Sequence, residues 1–323
     1  MLDATTLVER LRAGDIRALA RAVSLVENDA PLAADLLSAC FPYTGSSLRI
    51  GITGAPGAGK STLVDRLARH YRKLNQRIGV LAVDPTSPFT GGAILGDRIR
   101  MQERVADPGI YVRSMATRGA LGGLARATAD VVSVIEASGR DTILIETVGV
   151  GQDEINIVRL ADITLVVLVP GMGDDVQSIK AGIMEIADIF VINKADREGT
   201  DRIEKEVRAM QSLASHHGDW VAPVVRTVAS TGEGVDALAE QIEIARTAFL
   251  QSGEFERRRI ARWRERIEEM MREALLKQVR AHGISSNQLD DYATQANKGQ
   301  KDPYRLVPRL IQNMFVPEKE QEK

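Results

Sequence analysis

The stretch Gly54-Ala55-Pro56-Gly57-Ala58-Gly59-Lys60-Ser61 constrains this chain more than any other part of it. It follows the apolar run Leu48–Thr53 and precedes an amphipathic segment from Thr62 to about Lys73. That is the strand, GxxxxGK[ST] loop and helix order of a phosphate-binding P-loop. Glycines let the backbone curl tightly and carry no side chains that would shield its N–H groups. Those groups, with the N-terminus of the next helix, make a nest of partial positive charge for an anion. Lys60 is placed to reach β- and γ-phosphate oxygens and the Ser61 hydroxyl to ligate Mg²⁺, with Thr62 beside them among the nucleotide-binding residues. A glycine-rich turn without a ligand is the bland alternative, and a fully occupied motif in the right context argues against it.

From Leu48 to about Leu250 strands and helices are expected to alternate. Candidate strands are Leu48–Thr53, Ile78–Val83, Ile110–Val112, Thr142–Ile145, Ile163–Val169, Ile189–Ile192 and Pro223–Val228. Short runs of Val, Ile and Leu without polar alternation suit strands buried on both faces of a mainly parallel sheet. Helical stretches lie between them, such as Leu121–Ala137, Thr200–Ala214 and Val235–Leu250. The fold class expected is α/β, a three-layer P-loop NTPase of the G-domain type, with ligands at the carboxyl ends of the strands.

Helical extensions flank that domain, giving expected divisions at 1–45, 46–252 and 253–323. In the first, Ile16, Leu19, Ala20, Val23 and Val26 recur at helical spacing behind Asp15, a natural N-cap, and Pro31 starts a second helical piece that runs to Cys40. In the last, Ile260, Trp263, Ile267, Met270 and Ala274 form an a/d-like stripe, which suits either packing on the parent domain or a homodimerisation arm. A further helix is expected from Asp302-Pro303, kinked or shortened by Pro308.

A formal charge of −2 gives no support for nucleic-acid binding. The single cysteine, Cys40, excludes an internal disulfide and any multi-cysteine metal site. His70, His216, His217 and His282 do not follow a metal-ligand spacing. Neither a signal peptide nor a membrane-length apolar run is visible, so a cytoplasmic protein of a reducing compartment is expected.

Asn193-Lys194-Ala195-Asp196 follows the apolar run Ile189–Ile192. In such an NKxD element the Asp196 carboxylate accepts from guanine N1–H and the 2-amino group, whereas adenine offers an acceptor at N1 and no 2-amino group. Asn193 and the stem of Lys194 would brace the loop and cover the base. Ala229-Ser230-Thr231 stands where backbone N–H groups of G domains meet guanine O6. Glu146-Thr147-Val148-Gly149 occupies the place of a DxxG motif: Glu146 can hold Mg²⁺, and the Gly149 N–H can contact a γ-phosphate. In Ras-like proteins a Gln follows this glycine and orients the attacking water, but here the position is Val150. Slow intrinsic hydrolysis completed by a partner is therefore expected. Asp84 and Asp97, at the two ends of the loop Pro85–Gly96, suit the metal sphere or the positioning of water, or equally a turn and a helix cap.

Taken together, Gly14–Ala22, Gly54–Ser61, Val83–Ser87, Gly91–Asp97, Glu146–Gln152, Asn193–Asp196 and Thr231–Gly234 resemble the MeaB/ArgK-type P-loop GTPases along nearly the whole chain. These are G-protein chaperones of adenosylcobalamin-dependent acyl-CoA mutases. The resemblance implies a homodimer that hydrolyses GTP with Mg²⁺, binds a mutase, gates its cofactor loading and protects it from inactivation. The adenosylcobalamin belongs to the mutase, and a cobalamin adenosyltransferase is implied as a further partner. Asp84, Asp97 and Glu146 would be the acids of the Mg²⁺ site, and Lys180, in the loop Met172–Lys180, would reach toward the nucleotide or the mutase signal. Pro88-Phe89 and Pro308 depart from the family pattern, and which acyl-CoA the mutase isomerises stays open. The rivals are a P-loop kinase of a transport system, a metal-insertion GTPase and a scaffold that binds nucleotide without turnover. The NKxD element speaks against the first, and the scarcity of Cys and His against the second.

Overall fold

The apolar runs of the sequence pair side by side into one parallel sheet. The computed structural model describes residues 3–84, 107–116, 123–147, 160–171, 186–213, 220–281 and 285–315. Its strands are β1 Leu48–Gly54, β2 Ile78–Asp84, β3 Ile110–Ala116, β4 Thr142–Thr147, β5 Ile163–Leu168, β6 Ile189–Asn193 and β7 Val224–Thr227. They are ordered β3-β2-β4-β1-β5-β6-β7, and every pairing is parallel. β1 is central. The chain leaves it toward β2 and β3 on one side and later fills β5, β6 and β7 on the other, so the strand order reverses beside its carboxyl end. In an open α/β sheet that is where a ligand-binding crevice forms.

Side chains alternate between two buried faces, as the period of a strand requires. Ile163, Leu165 and Val167 of β5 join Ile50 and Ile52 in the larger cluster, covered by α4 (Lys60–Lys73) and by Val235, Leu238 and Ile242 of a later helix, Val235–Gln251. Val166 and Leu168 face the other way, with Phe190 and Ile192, against Ile203 and Val207 of the helix Thr200–Leu213. On that second face, Ile143 and Ile145 of β4 pack with α5 (Gly123–Ala137) and the N-terminal helices α1 (Ala4–Arg12), α2 (Ile16–Glu27) and α3 (Ala33–Cys40). The result is the three-layer α/β sandwich of a P-loop NTPase, with the helices Thr200–Leu213 and Val235–Gln251 following as α6 and α7.

Asp15 caps α2 by accepting from Arg17 N at 2.9 Å and Ala18 N at 3.0 Å. The Ala18 amide, with the Arg10 guanidinium, holds its carboxyl below the usual carboxylate range. β3 is longer than the apolar run Ile110–Val112. It continues through Arg113 and Ser114, and Arg113 forms an ion pair with Glu27 of α2.

Two compact units divide the chain, Met1–Arg259 and Ile260–Lys323. The long helix α8 (Glu254–Ala281) has its root in the first. There Phe255 joins the larger core, and Arg258 donates to both oxygens of buried Asp188 at 2.8 Å. Arg259 donates to Gly45 O at 2.6 Å. Burial alone would lower the Arg258 pKa, but Asp188 and Glu254 more than reverse it and hold the guanidinium charged. Within the second unit, α9 (Ser286–Asn297) opens on a capping box formed by Ser285 and Gln288. α10 (Pro303–Phe315) follows Asp302, which accepts from Tyr304 N at 2.9 Å. It runs through Pro308 to Phe315 rather than stopping there. No helix among the described residues is long and apolar enough to cross a membrane.

Candidate nucleotide-binding site

The loop between β1 and α4 turns on glycines that no other residue could replace. Gly54 has φ 140°, and a Cβ there would stand 2.1 Å from Val167 O of the neighbouring strand. Gly59 has φ 88°, and its Cβ would stand 2.4 Å from Asn193 Nδ2. Such positive φ values and close approaches are where only glycine fits without strain. Lys60 is buried, and its Nζ donates to Gly54 O at 2.6 Å and Ala55 O at 2.9 Å. The ammonium is thus turned back over the loop rather than out to solvent.

Asn193, at the end of β6, ties three segments together. Its Nδ2 donates to Ala58 O of the loop at 2.8 Å. Its Oδ1 accepts from Thr227 Oγ1 at 3.1 Å and Ala229 N at 3.0 Å, both at the end of β7. Lys194 takes a left-handed backbone, φ 56°, and its Nζ donates to Gly57 O at 2.8 Å. Asp196 follows on the exposed turn before α6. Asn193 and Lys194 are therefore hydrogen-bonded to the P-loop at the carboxyl edge of the sheet.

Glu146, the last residue but one of β4, lies opposite Ile52 of β1. Ser61 Oγ donates to its Oε1 at 2.5 Å, and the adjacent Thr147 donates to Thr53 Oγ1 at 3.1 Å. A hydroxyl and a carboxylate that converge beside Lys60 are hard oxygen donors, the ligand chemistry that Mg²⁺ takes. This donor pair fits a magnesium ion shared with phosphate oxygens.

The model of the family described as methylmalonyl-CoA mutase-associated GTPase MeaB matches residues 19–283. The chain belongs to the MeaB family. Its activity class is accordingly that of a GTPase. A relative from Pyrococcus abyssi, carrying a provisional GTPase name, is 47% identical over 312 residues, covering 96% of each chain. The GTPase ArgK of Escherichia coli K12 is 35% identical over 306 residues, covering 91% of each. Among solved structures, that of an LAO/AO transport system kinase superposes with a TM-score of 0.72 at 26% identity, covering 98% of this chain and all of that one.

In this MeaB-family chain, Gly54 to Thr62, Glu146, Asn193, Lys194, Asp196 and Ala229 to Thr231 all stand at one edge of the sheet. β2 ends on Asp84, whose side chain lies outside the described residues, as do Asp97, Gly149, Lys180 and the loops that carry them. Sequence reasoning passed over Thr227, and also over Arg66 of α4, which donates from Nε to Ala229 O at 2.9 Å and from a terminal nitrogen to Ser230 O. Neither belongs to a motif. The only signal was a polar residue beside an apolar helix face or at the end of a strand.

Proposed function

We propose that this chain binds GTP and GDP with Mg²⁺ and acts as a switch on an adenosylcobalamin-dependent acyl-CoA mutase. In this reading it gates the loading of that enzyme's cofactor and protects it from inactivation. The family's own description, as a methylmalonyl-CoA mutase-associated GTPase, supports the partner class. The observation that carries the nucleotide reading is Asn193, whose one amide joins the phosphate loop at Ala58 to the end of β7 at Thr227 and Ala229.

Each residue then has a task. The loop amides from Gly54 to Ser61 and the first turn of α4, including Thr62, receive the phosphates. Lys60 is within reach of any phosphate oxygen that the same loop cradles. Ser61 and Glu146 would hold Mg²⁺, which when bound neutralises charge on the transferring phosphate. The Asp196 carboxylate selects guanine through its N1–H and 2-amino group, while the Lys194 stem covers the base. By family resemblance Asp84 and Asp97 complete the acids around the metal, Gly149 senses the γ-phosphate, and Lys180 relays its loss. Val150, where a water-orienting Gln is usual in Ras-like proteins, favours slow turnover by the chain alone. The exposed apolar stripe of α8, Ile260, Trp263, Ile267 and Met270, supports a homodimer, and the reading as a whole suits the cytoplasm.

Phosphate release tests this directly. GTP should be hydrolysed slowly by the chain alone and faster with an adenosylcobalamin-dependent acyl-CoA mutase present, while ATP should be ignored. Equal use of ATP would overturn the nucleotide reading. Guanine selectivity with no response to any such mutase would overturn the partner reading alone. Transfer of labelled γ-phosphate to a protein or small-molecule acceptor would instead favour a kinase.

A further inference from the structure

One peptide in the site is gripped by a residue that belongs to no motif. Of the amides in Ala229-Ser230-Thr231, that of Ala229 donates to Asn193 Oδ1 at 3.0 Å and that of Thr231 to Val228 O at 3.1 Å. Among the described residues nothing accepts from the Ser230 N–H, so it is the donor of the triplet left for a ligand. The Ser230 N–H shares its peptide unit with the Ala229 carbonyl. A trans peptide is planar, so its C=O and N–H point in opposite directions. Arg66 Nε donates to that carbonyl at 2.9 Å, and a terminal nitrogen of the same guanidinium donates to the next carbonyl, Ser230 O. The grip therefore fixes the direction of the Ser230 N–H. A bond to the carbonyl also polarises the N–H on the far side of the same peptide. One turn further along α4, His70 Nδ1 lies 2.8 Å from Asp236 Oδ1 in the first turn of α7, so the same flank of α4 holds both ends of the β7–α7 connection.

We propose that Arg66 is a positioning residue for guanine recognition, aiming the Ser230 N–H at the 6-oxo group of the base by holding the carbonyls of Ala229 and Ser230. The chemistry is selective, because guanine offers an acceptor at position 6 and adenine offers a donor that would oppose the N–H. A planar guanidinium can bridge two successive carbonyls in a fixed fork, whereas a lysine ammonium reaches only one with comparable order. The inference rests on the guanine reading proposed above and adds to it a residue that touches no part of the nucleotide.

The test compares GDP with 6-thio-GDP, in which a poorer acceptor replaces the 6-oxo oxygen, and with IDP, which lacks only the 2-amino group. Equilibrium binding would be measured for the full-length wild-type chain, R66M and R66K. The wild type should prefer GDP to 6-thio-GDP by about tenfold, the worth of one good hydrogen bond. R66M should bring that ratio close to one, R66K should fall between, and both should keep the wild-type ratio of GDP to IDP, which reports on Asp196. Each ratio is taken within one protein, so partial unfolding of a variant weakens both ligands alike and cancels. If R66M weakens GDP and 6-thio-GDP equally, Arg66 merely supports the fold and the proposal fails. A wild type indifferent between GDP and IDP would overturn the guanine reading and this inference with it, a result visible before any variant is made.

Discussion

At Asp196 the exchange of one carboxylate oxygen for an amide nitrogen separates two purines. Asp196→Asn removes an acceptor from guanine N1–H and the 2-amino group and supplies a donor suited to the 2-oxo group of xanthine. Affinity for GTP should fall by about a hundredfold, the scale of losing hydrogen bonds to a charged group, and that for XTP should rise. Competition binding with both nucleotides checks this, and unchanged selectivity would refute the assignment. Gly59 is a second sensitive position. Gly59→Ala would press a methyl against Asn193 Nδ2, 2.4 Å away, at a φ of 88°. It should break the bond from Asn193 to Ala58, lower the melting temperature and abolish tight GDP binding; full binding by a folded variant would show that the Asn193 bridge is dispensable. Lys60, Ser61 and Asn193, whose side chains meet backbone or carboxylate partners at the sheet edge, were legible in the sequence because each sits in a short motif of fixed spacing after an apolar strand. Arg66 and the Ser230 amide were not. The first acts on backbone carbonyls that every residue possesses, and the second is a backbone atom without a side-chain signature.

Strands buried on both faces announced themselves as unbroken apolar runs, and all of those expected are present. Where polar residues enter an edge strand, as at Arg113 and Ser114 of β3, the run under-reports its length. α9 was missed because its apolar face is weak and only the Ser285 and Gln288 box marks its start. Tertiary ion pairs were equally hidden: Arg258 and Asp188 lie 70 residues apart, and only folding brings them together. That pair closes the roots of β6 and α8, so Asp188→Ala should cost about 3 kcal/mol, the low end for breaking a buried pair, because Arg258 loses its two-oxygen partner and keeps only Glu254 as a counter-charge, at 2.8 Å. Adding Arg258→Met should restore part of the loss, because an apolar pair of similar volume often replaces a buried ion pair well. Urea denaturation of the single and double variants decides, and additive losses would mean the two side chains act independently. On α3, burial pushes the Cys40 thiol up to about 11. Iodoacetamide should therefore label the folded chain slowly at neutral pH and rapidly only after denaturation; fast native labelling would contradict the packing of α3.

At the scale of the whole molecule, the place to divide the chain matters more than the fact of division. A change in sequence character after Gly253 suggests a cut there, yet the next turn of α8 belongs to the first unit. Phe255 is only 6% exposed within the larger core, and its ring meets that of Phe249 edge-on at 5.8 Å between centroids. Arg258 neutralises Asp188, and Arg259 holds the backbone at Gly45. A chain ending at Gly253 loses all three and leaves the Asp188 carboxylate buried without its cation, which is the costly half of breaking a buried pair. A chain ending at Arg259 keeps them and loses only the stretch that bears the exposed apolar stripe. If that stripe is where two copies meet, residues 1–259 should be a folded monomer by light scattering that still binds GDP, the full chain a dimer, and residues 1–253 markedly less stable to heat than 1–259. A dimeric 1–259 would place the self-association elsewhere. Equal melting of the two truncations would deny the first turn of α8 its part in the core.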